Sequence, residues 1–208
     1  MQLSTKSSYP LVKKGFWGIV AFVYLILTAS ASSQVVINEV LYDPPSKDAG
    51  CFVELMGPPG LSLDDYFLLG VNGEGGKQYN LIALSGHRVP SDGYFVVAQD
   101  KNVPDADLID GKVDFQNGPD NIELWRGEKK IDAVGYGDFS EAVFTGEGDP
   151  TFDLSGYSIG RRPDGADTDN NSSDFVGLPI ASPGKPNGPG AAVVSEEKLF
   201  SSWGFIKR

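Results

Sequence analysis

The sequence holds one cysteine and one histidine, and that scarcity sets limits at once. A single thiol, Cys51, cannot form an intramolecular disulfide, so the fold must rest on its apolar core. Cys51 opens a strand-like run, Cys51-Phe52-Val53-Glu54-Leu55, which predicts a buried structural thiol. His87 is followed by Arg88 in a polar turn and reads as an exposed loop side chain. The chain carries no Gly-x-Ser-x-Gly elbow, no His-Glu-x-x-His pair and no Walker-type glycine loop. Covalent catalysis needs a nucleophile with a dedicated base, and no pattern here supplies one. Glu39 and Glu54 invite a glycosidase reading, since paired carboxylates do that chemistry, but neither sits in a recognisable catalytic motif. No catalytic residue and no organic cofactor are expected.

Basic residues are also few, with 17 Lys and Arg against 28 Asp and Glu. Three of the lysines, Lys6, Lys13 and Lys14, precede an uncharged apolar run at 16–27, which is followed by Ala29-Ser30-Ala31. A positive start, an apolar run and small-x-small residues make a secretory signal, with cleavage expected after Ala31. The run falls short of the roughly 18–20 apolar residues of a spanning helix, so no stable membrane insertion is expected once the signal is removed. Removing residues 1–31 takes away three lysines and no acid, leaving 14 basic and 28 acidic side chains and a formal charge of −14. That field repels nucleic acid and anionic lipid. The expected location is secreted, extracellular or associated with the cell envelope.

What the rest of the chain does have is short apolar runs separated by turn residues. Strands are predicted at 35–42, 51–56, 66–71, 78–84, 93–98, 121–126, 130–136 and, more weakly, 157–161; these runs are rich in Val, Ile, Phe and Tyr. Asp43-Pro44-Pro45, Gly57-Pro58-Pro59-Gly60, Asn72-Gly73, Asp92-Gly93, Asn117-Gly118 and Asp164-Gly165 punctuate them. No window has a sustained helical period. Seven or eight short strands predict an all-β domain, a two-layer sandwich whose apolar faces cover each other. The stretch 137–156 is long for a hairpin loop and reads as a surface excursion or a binding loop. Residues 183–190 read as a Pro/Gly linker without packing capacity. The expected organisation is a signal peptide at 1–31, a β-sandwich domain at 34–187, and a linker and tail at 188–208.

The order of several segments resembles the bacterial secreted branch of the lamin tail domain family. They are Val36-Ile37-Asn38-Glu39-Val40-Leu41-Tyr42-Asp43-Pro44, then Phe52-Val53-Glu54-Leu55, then the run from Pro90 to Ala98, then Ile122-Glu123-Leu124-Trp125 with Ile131-Asp132-Ala133-Val134-Gly135-Tyr136. The run from Gly156 to Gly165 follows, then Asp167-Thr168-Asp169-Asn170-Asn171 and Ser182-Pro183-Gly184-Lys185-Pro186-Asn187. The likeness covers about residues 34–187 and implies an immunoglobulin-like sandwich. It implies little biochemistry, since such domains serve as interaction or structural modules in many settings. Cys51, Gly57-Pro58-Pro59 and the long 137–156 stretch depart from the family pattern.

Three sets of residues are candidates for a role. Arg161 or Arg162, in a late predicted strand, could form a buried ion pair with Glu39 or Glu54 and fix strand order. Asp167, Asp169, Asn171 and Asp174 alternate oxygen side chains as a calcium loop does. The same residues make Asx turns and caps, and Ser172 stands where a calcium loop would want glycine, which favours the turn. In the tail, Leu199, Phe200, Trp203, Phe205 and Ile206 are docking candidates. The function this predicts is an exported, non-catalytic binding or structural module whose partner is a protein or a component of the cell envelope. The alternative is an accessory domain binding carbohydrate or another extracellular polymer. That would need an exposed aromatic platform, drawn from Tyr66, Phe67, Tyr79, Tyr94 and Trp125.

Overall fold

The computed structural model describes residues 34–45 and 49–189, all within one compact unit. The expected signal peptide at 1–31 and the tail residues Leu199, Phe200, Trp203, Phe205 and Ile206 lie outside the described residues. Ten strands and one helical turn follow in chain order: β1 (Val36–Leu41), β2 (Phe52–Met56), β3 (Tyr66–Asn72), β4 (Gln78–Ala83), β5 (Tyr94–Ala98), β6 (Leu108–Ile109), β7 (Asp120–Arg126), β8 (Lys129–Tyr136), β9 (Ser158–Arg161), α1 (Asn171–Asp174) and β10 (Phe175–Leu178). They form two sheets, one of six strands in the order β10-β9-β1-β2-β5-β6 and one of four in the order β4-β3-β7-β8. The predicted all-β sandwich is what forms, and all eight predicted strands are present within a residue or two of their expected bounds.

A single apolar cluster draws on the inner faces of both sheets. The six-stranded sheet contributes Ile37, Val40, Val53, Leu55, Phe95, Val97, Ile159 and Phe175. The four-stranded sheet answers with Leu68, Ile82, Ile122, Leu124, Val134 and Tyr136. Burying either face alone would leave the other wet, so the pairing of the layers drives the fold. The buried Cys51 thiol donates to the Tyr42 carbonyl at 3.4 Å, as a structural thiol should. His87 is half-buried rather than exposed, because its ring packs edge-on against Phe95.

Period-2 alternation breaks once where it matters. In β1, Ile37 faces Leu55 and Glu39 faces Glu54, so Asn38 is an extra residue in the ladder. This bulge turns both Asn38 and Glu39 to the outer face, while Val40 returns to the core. Strict alternation would have placed Glu39 inside beside Val35 and Ile37.

The segment read as an unpacked linker differs from expectation. Pro183 is buried, and residues 182–187 lie as a strap against the outer face of the six-stranded sheet. At Gly160 a Cβ would come within 2.8 Å of the Asn187 side-chain nitrogen, so glycine there lets the strap approach. The stretch 137–156 also packs: Thr151 bridges to Tyr136 and exchanges backbone bonds with Gly135 and Gly137. Among the described residues, no helix is long and apolar enough to cross a membrane.

Candidate functional site

The ionisable residues collect on two sides of the six-stranded sheet, and the β1 bulge decides which residue goes where. Arg161 ends β9 opposite Phe175 and on the same face as Ile159, so its side chain enters the space between the sheets, where it is fully buried. Its guanidinium fans out. Nε donates to the Ile37 carbonyl at 2.9 Å, and one terminal nitrogen reaches Asp132 of the opposite sheet at 2.8 Å. The other donates to Asp174 at 2.8 Å, to the Ala166 carbonyl at 2.9 Å and to Asp167 at 3.3 Å. Glu147 lies 3.8 Å away, and the cation sits 4.7 Å over the Phe175 ring.

The expected pairing of Arg161 or Arg162 with Glu39 or Glu54 is therefore not made. Both glutamates sit on the outer face and Arg161 points to the inner one, so the sheet itself separates them. Arg162 instead donates to the Gly188 carbonyl at 2.6 Å. Arg161 is nevertheless the buried cation that joins strands, with aspartates as its partners. Burial alone works against its charge, but Asp132, Asp167 and Asp174 overcome it and hold the guanidinium firmly protonated. On the acid side, burial is the first cause raising Asp132 and pushing Glu147 up to about 8, with the neighbouring carboxylates adding to the rise at Glu147.

The four residues of the candidate calcium loop turn to different partners. Asp174 accepts from Arg161, from the Thr168 amide and from the Thr168 hydroxyl. Asp167 accepts from Arg161 and from the Asp169 amide at 3.2 Å, and Asp169 itself is exposed with a left-handed φ of 55°. Asn171 turns inward, accepting from the Gly135 and Glu147 amides and donating to the Ala133 carbonyl. Asn170 caps α1 by accepting from the Ser173 amide. This is the Asx-turn arrangement. A different acidic set, Asp132, Glu147 and Asp167, comes within 4.8 Å of one another, and Arg161 reaches all three. A guanidinium already supplies the positive charge there. Addition of millimolar calcium or of a chelator is expected to shift the melting temperature by less than about 1 °C, whereas a filled site would raise it by several degrees.

On the outer face, Glu39 and Glu54 stand directly opposite each other, and Asp164 joins them through Asn38. Their hydrogen-bond partners are donors, and most come from the strap. Glu39 accepts from the Ser182 amide and hydroxyl and from the Ser158 hydroxyl. Glu54 accepts from the Gly184 amide at 2.7 Å and from Asn38 at 2.8 Å. Asp164 takes the Asn187 amide and the Tyr94 hydroxyl. Burial raises Glu39 and pushes Glu54 up to about 8; the donors pull the other way without prevailing.

Away from both sets, the buried carboxyl of Asp120 receives the hydroxyls of Tyr79 and Tyr136. Nothing in the residues marks it beyond an acid beside a predicted strand.

Of the candidate platform rings, Tyr66 and Tyr94 are buried, and Tyr79 is half-buried with its hydroxyl on Asp120. Phe67 and Trp125 are half-buried cross-strand neighbours on the outer face of the four-stranded sheet, with centroids 6.3 Å apart and planes 4° from parallel. An apolar groove of about 410 Å³ is lined by Pro104, Pro179, Ile180, Pro183 and Pro189, beside the point where the described chain ends. In comparisons with family models, curated proteins and solved structures, the chain finds no match.

Proposed function

We propose that the protein is an exported, non-catalytic binding or structural module that acts through protein or cell-envelope contacts. One observation carries this reading: the two main sets of buried charges, around Arg161 and around Glu39 and Glu54, are engaged by ion pairs, backbone amides and neutral side chains, and each fastens a loop or strap to the sandwich. Chemistry of that kind makes a rigid scaffold with firmly placed loops, which suits recognition by surface complementarity. In the same reading the sandwich is immunoglobulin-like and of the lamin-tail type. In support, the segments that carry the resemblance coincide with β1, β2, β5, the β7–β8 hairpin, β9 and the strap.

Binding of carbohydrate or another extracellular polymer is the second reading, favoured by the parallel, half-exposed Phe67 and Trp125 rings. A sugar face can lie on such rings through its C–H bonds. Co-sedimentation with envelope fragments and with insoluble polysaccharides tests both. Retention on envelopes that falls several-fold when residues 190–208 are deleted is the expected result. Retention on polysaccharide that is lost in Trp125→Ala would shift the assignment to the second reading. No retention on either material would overturn both.

A further inference from the structure

We infer that residues 182–187 form an acid-stabilised latch, held on the outer sheet face by Glu39, Glu54 and Asp164 and released as the solution turns alkaline. The latch is independent of what the module binds. Its basis is geometric. The strap presents its Ser182, Gly184 and Asn187 amides, one to each of the three carboxyl groups. Asn187 then closes it with donations to the Arg161 carbonyl at 2.9 Å and the Asn38 carbonyl at 3.4 Å.

Three acids share one covered patch, and none of them pairs with a cation among the described residues. Glu39 and Glu54 are directly opposed across β1 and β2, where like charges repel most strongly. The other groups facing the patch make the imbalance plain. β5 contributes Tyr94, whose hydroxyl bonds to Asp164, and β9 contributes the neutral Ser158. Asp92, Asp105 and Asp107 line the adjoining cleft with Lys185. The strap's own cation, Lys185, turns away to Asp105 at 3.6 Å, and Arg162 is committed to the Gly188 carbonyl. Arg161 lies on the other side of the sheet.

Lifting the strap would return Glu54 and Glu39 to water and to ordinary carboxyl behaviour. Docked, Glu54 titrates near 8 because burial dominates; undocked, its ordinary value is 4.5. Between those limits the docked form holds an extra proton on Glu54, so raising the pH favours release, by at most about tenfold per unit from that group alone. Below the lower limit the latch is at its tightest, and above the upper one there is no further change. Glu39, raised in the same direction, reinforces the effect.

Amide hydrogen exchange on the protein with its tail intact, corrected for intrinsic rates, reads this directly. Protection of Gly184 and Asn187 is expected to fall at least tenfold between pH 6 and pH 8.5, while the core amides of Ile122 and Leu124 hold theirs. Strap protection that is flat over this range overturns the latch. Parallel loss at the core amides also overturns it, since that would report global unfolding. Glu54→Gln keeps the volume and cannot ionise, so its strap protection is expected to vary with pH far less. A folded Glu54→Gln variant with the full response rules Glu54 out as the proton carrier. Should that variant not fold, the titration of the unsubstituted protein decides alone.

Discussion

Replacing Arg161 with methionine is expected to destabilise the fold by about 3–5 kcal/mol, the range for removing one partner of a buried ion pair. Methionine fills much of the space but leaves Asp132 and Asp174 buried and without their cation. It also strips donors from the Ile37 and Ala166 carbonyls. On a domain of this size the loss corresponds to a fall in Tm on the order of 10 °C. Arg161→Lys is expected to recover little. One ammonium cannot reach five acceptors that a planar fork meets from three nitrogens. Adding Asp132→Asn to Arg161→Met removes one stranded charge and should restore part of the loss. If Arg161→Met alone costs under about 1 kcal/mol by denaturant titration, the cross-sheet rivet is not what holds this end of the sandwich.

The physical reason for so large an effect lies in the position of Arg161. Its partners come from both sheets and from the turn before β10: Ile37 on β1, Asp132 on β8, Asp174 on α1, and Ala166 and Asp167 between. Apolar packing between layers is non-directional and tolerates sliding. A fan of directed, charge-assisted bonds does not, so Arg161 fixes how the two sheets register at that end.

The strands with strong Val, Ile, Phe and Tyr content were legible, because a pleated half-buried surface selects those side chains. β6 was not, since Leu108–Ile109 is too short to show a period and pairs in parallel with β5. β10 was not either, because Phe175–Leu178 follows a run of Asp, Asn and Ser that reads as loop. The buried arginine was foreseen in kind and misassigned in partner. Glu39 attracted notice as a strand acid, but the bulge at Asn38 inverts its face, and no feature of the residues announces that bulge. Asp132 was in view all along. Alternation through Asp132, Val134 and Tyr136 puts it on the core face, which is a signal that could have found it. The strap was missed because Pro and Gly suggest an unpacked chain, whereas here Gly184 and Asn187 offer bare amides to carboxylates.

Composition also hides the role of Asn171, which stands among alternating oxygen side chains. Asn171→Ala is expected to destabilise by about 3 kcal/mol, at the upper end for a buried polar substitution. Its side chain is fully buried and satisfies three backbone groups: the amides of Gly135 at 2.9 Å and Glu147 at 3.0 Å, and the carbonyl of Ala133 at 2.9 Å. β8 is the edge strand of its sheet, and these bonds attach Glu147, within the long 137–156 excursion, to it. Gly146 shows how close that approach is, since a Cβ there would come within 2.4 Å of the Asn171 oxygen. Asn121 fastens the same excursion from the other side, accepting from the Thr145 amide and donating to the Val143 carbonyl. Asn171→Asp keeps both acceptor roles and loses the donor to Ala133, while adding a charge near Asp132 and Glu147. It should therefore be no milder than Asn171→Ala at pH 7 and should regain stability in acid. Proteolysis within 137–147 is expected to accelerate in both variants well before global unfolding. A loop that stays as resistant as in the unsubstituted protein would mean that Asn121 and Thr151 hold the excursion without Asn171.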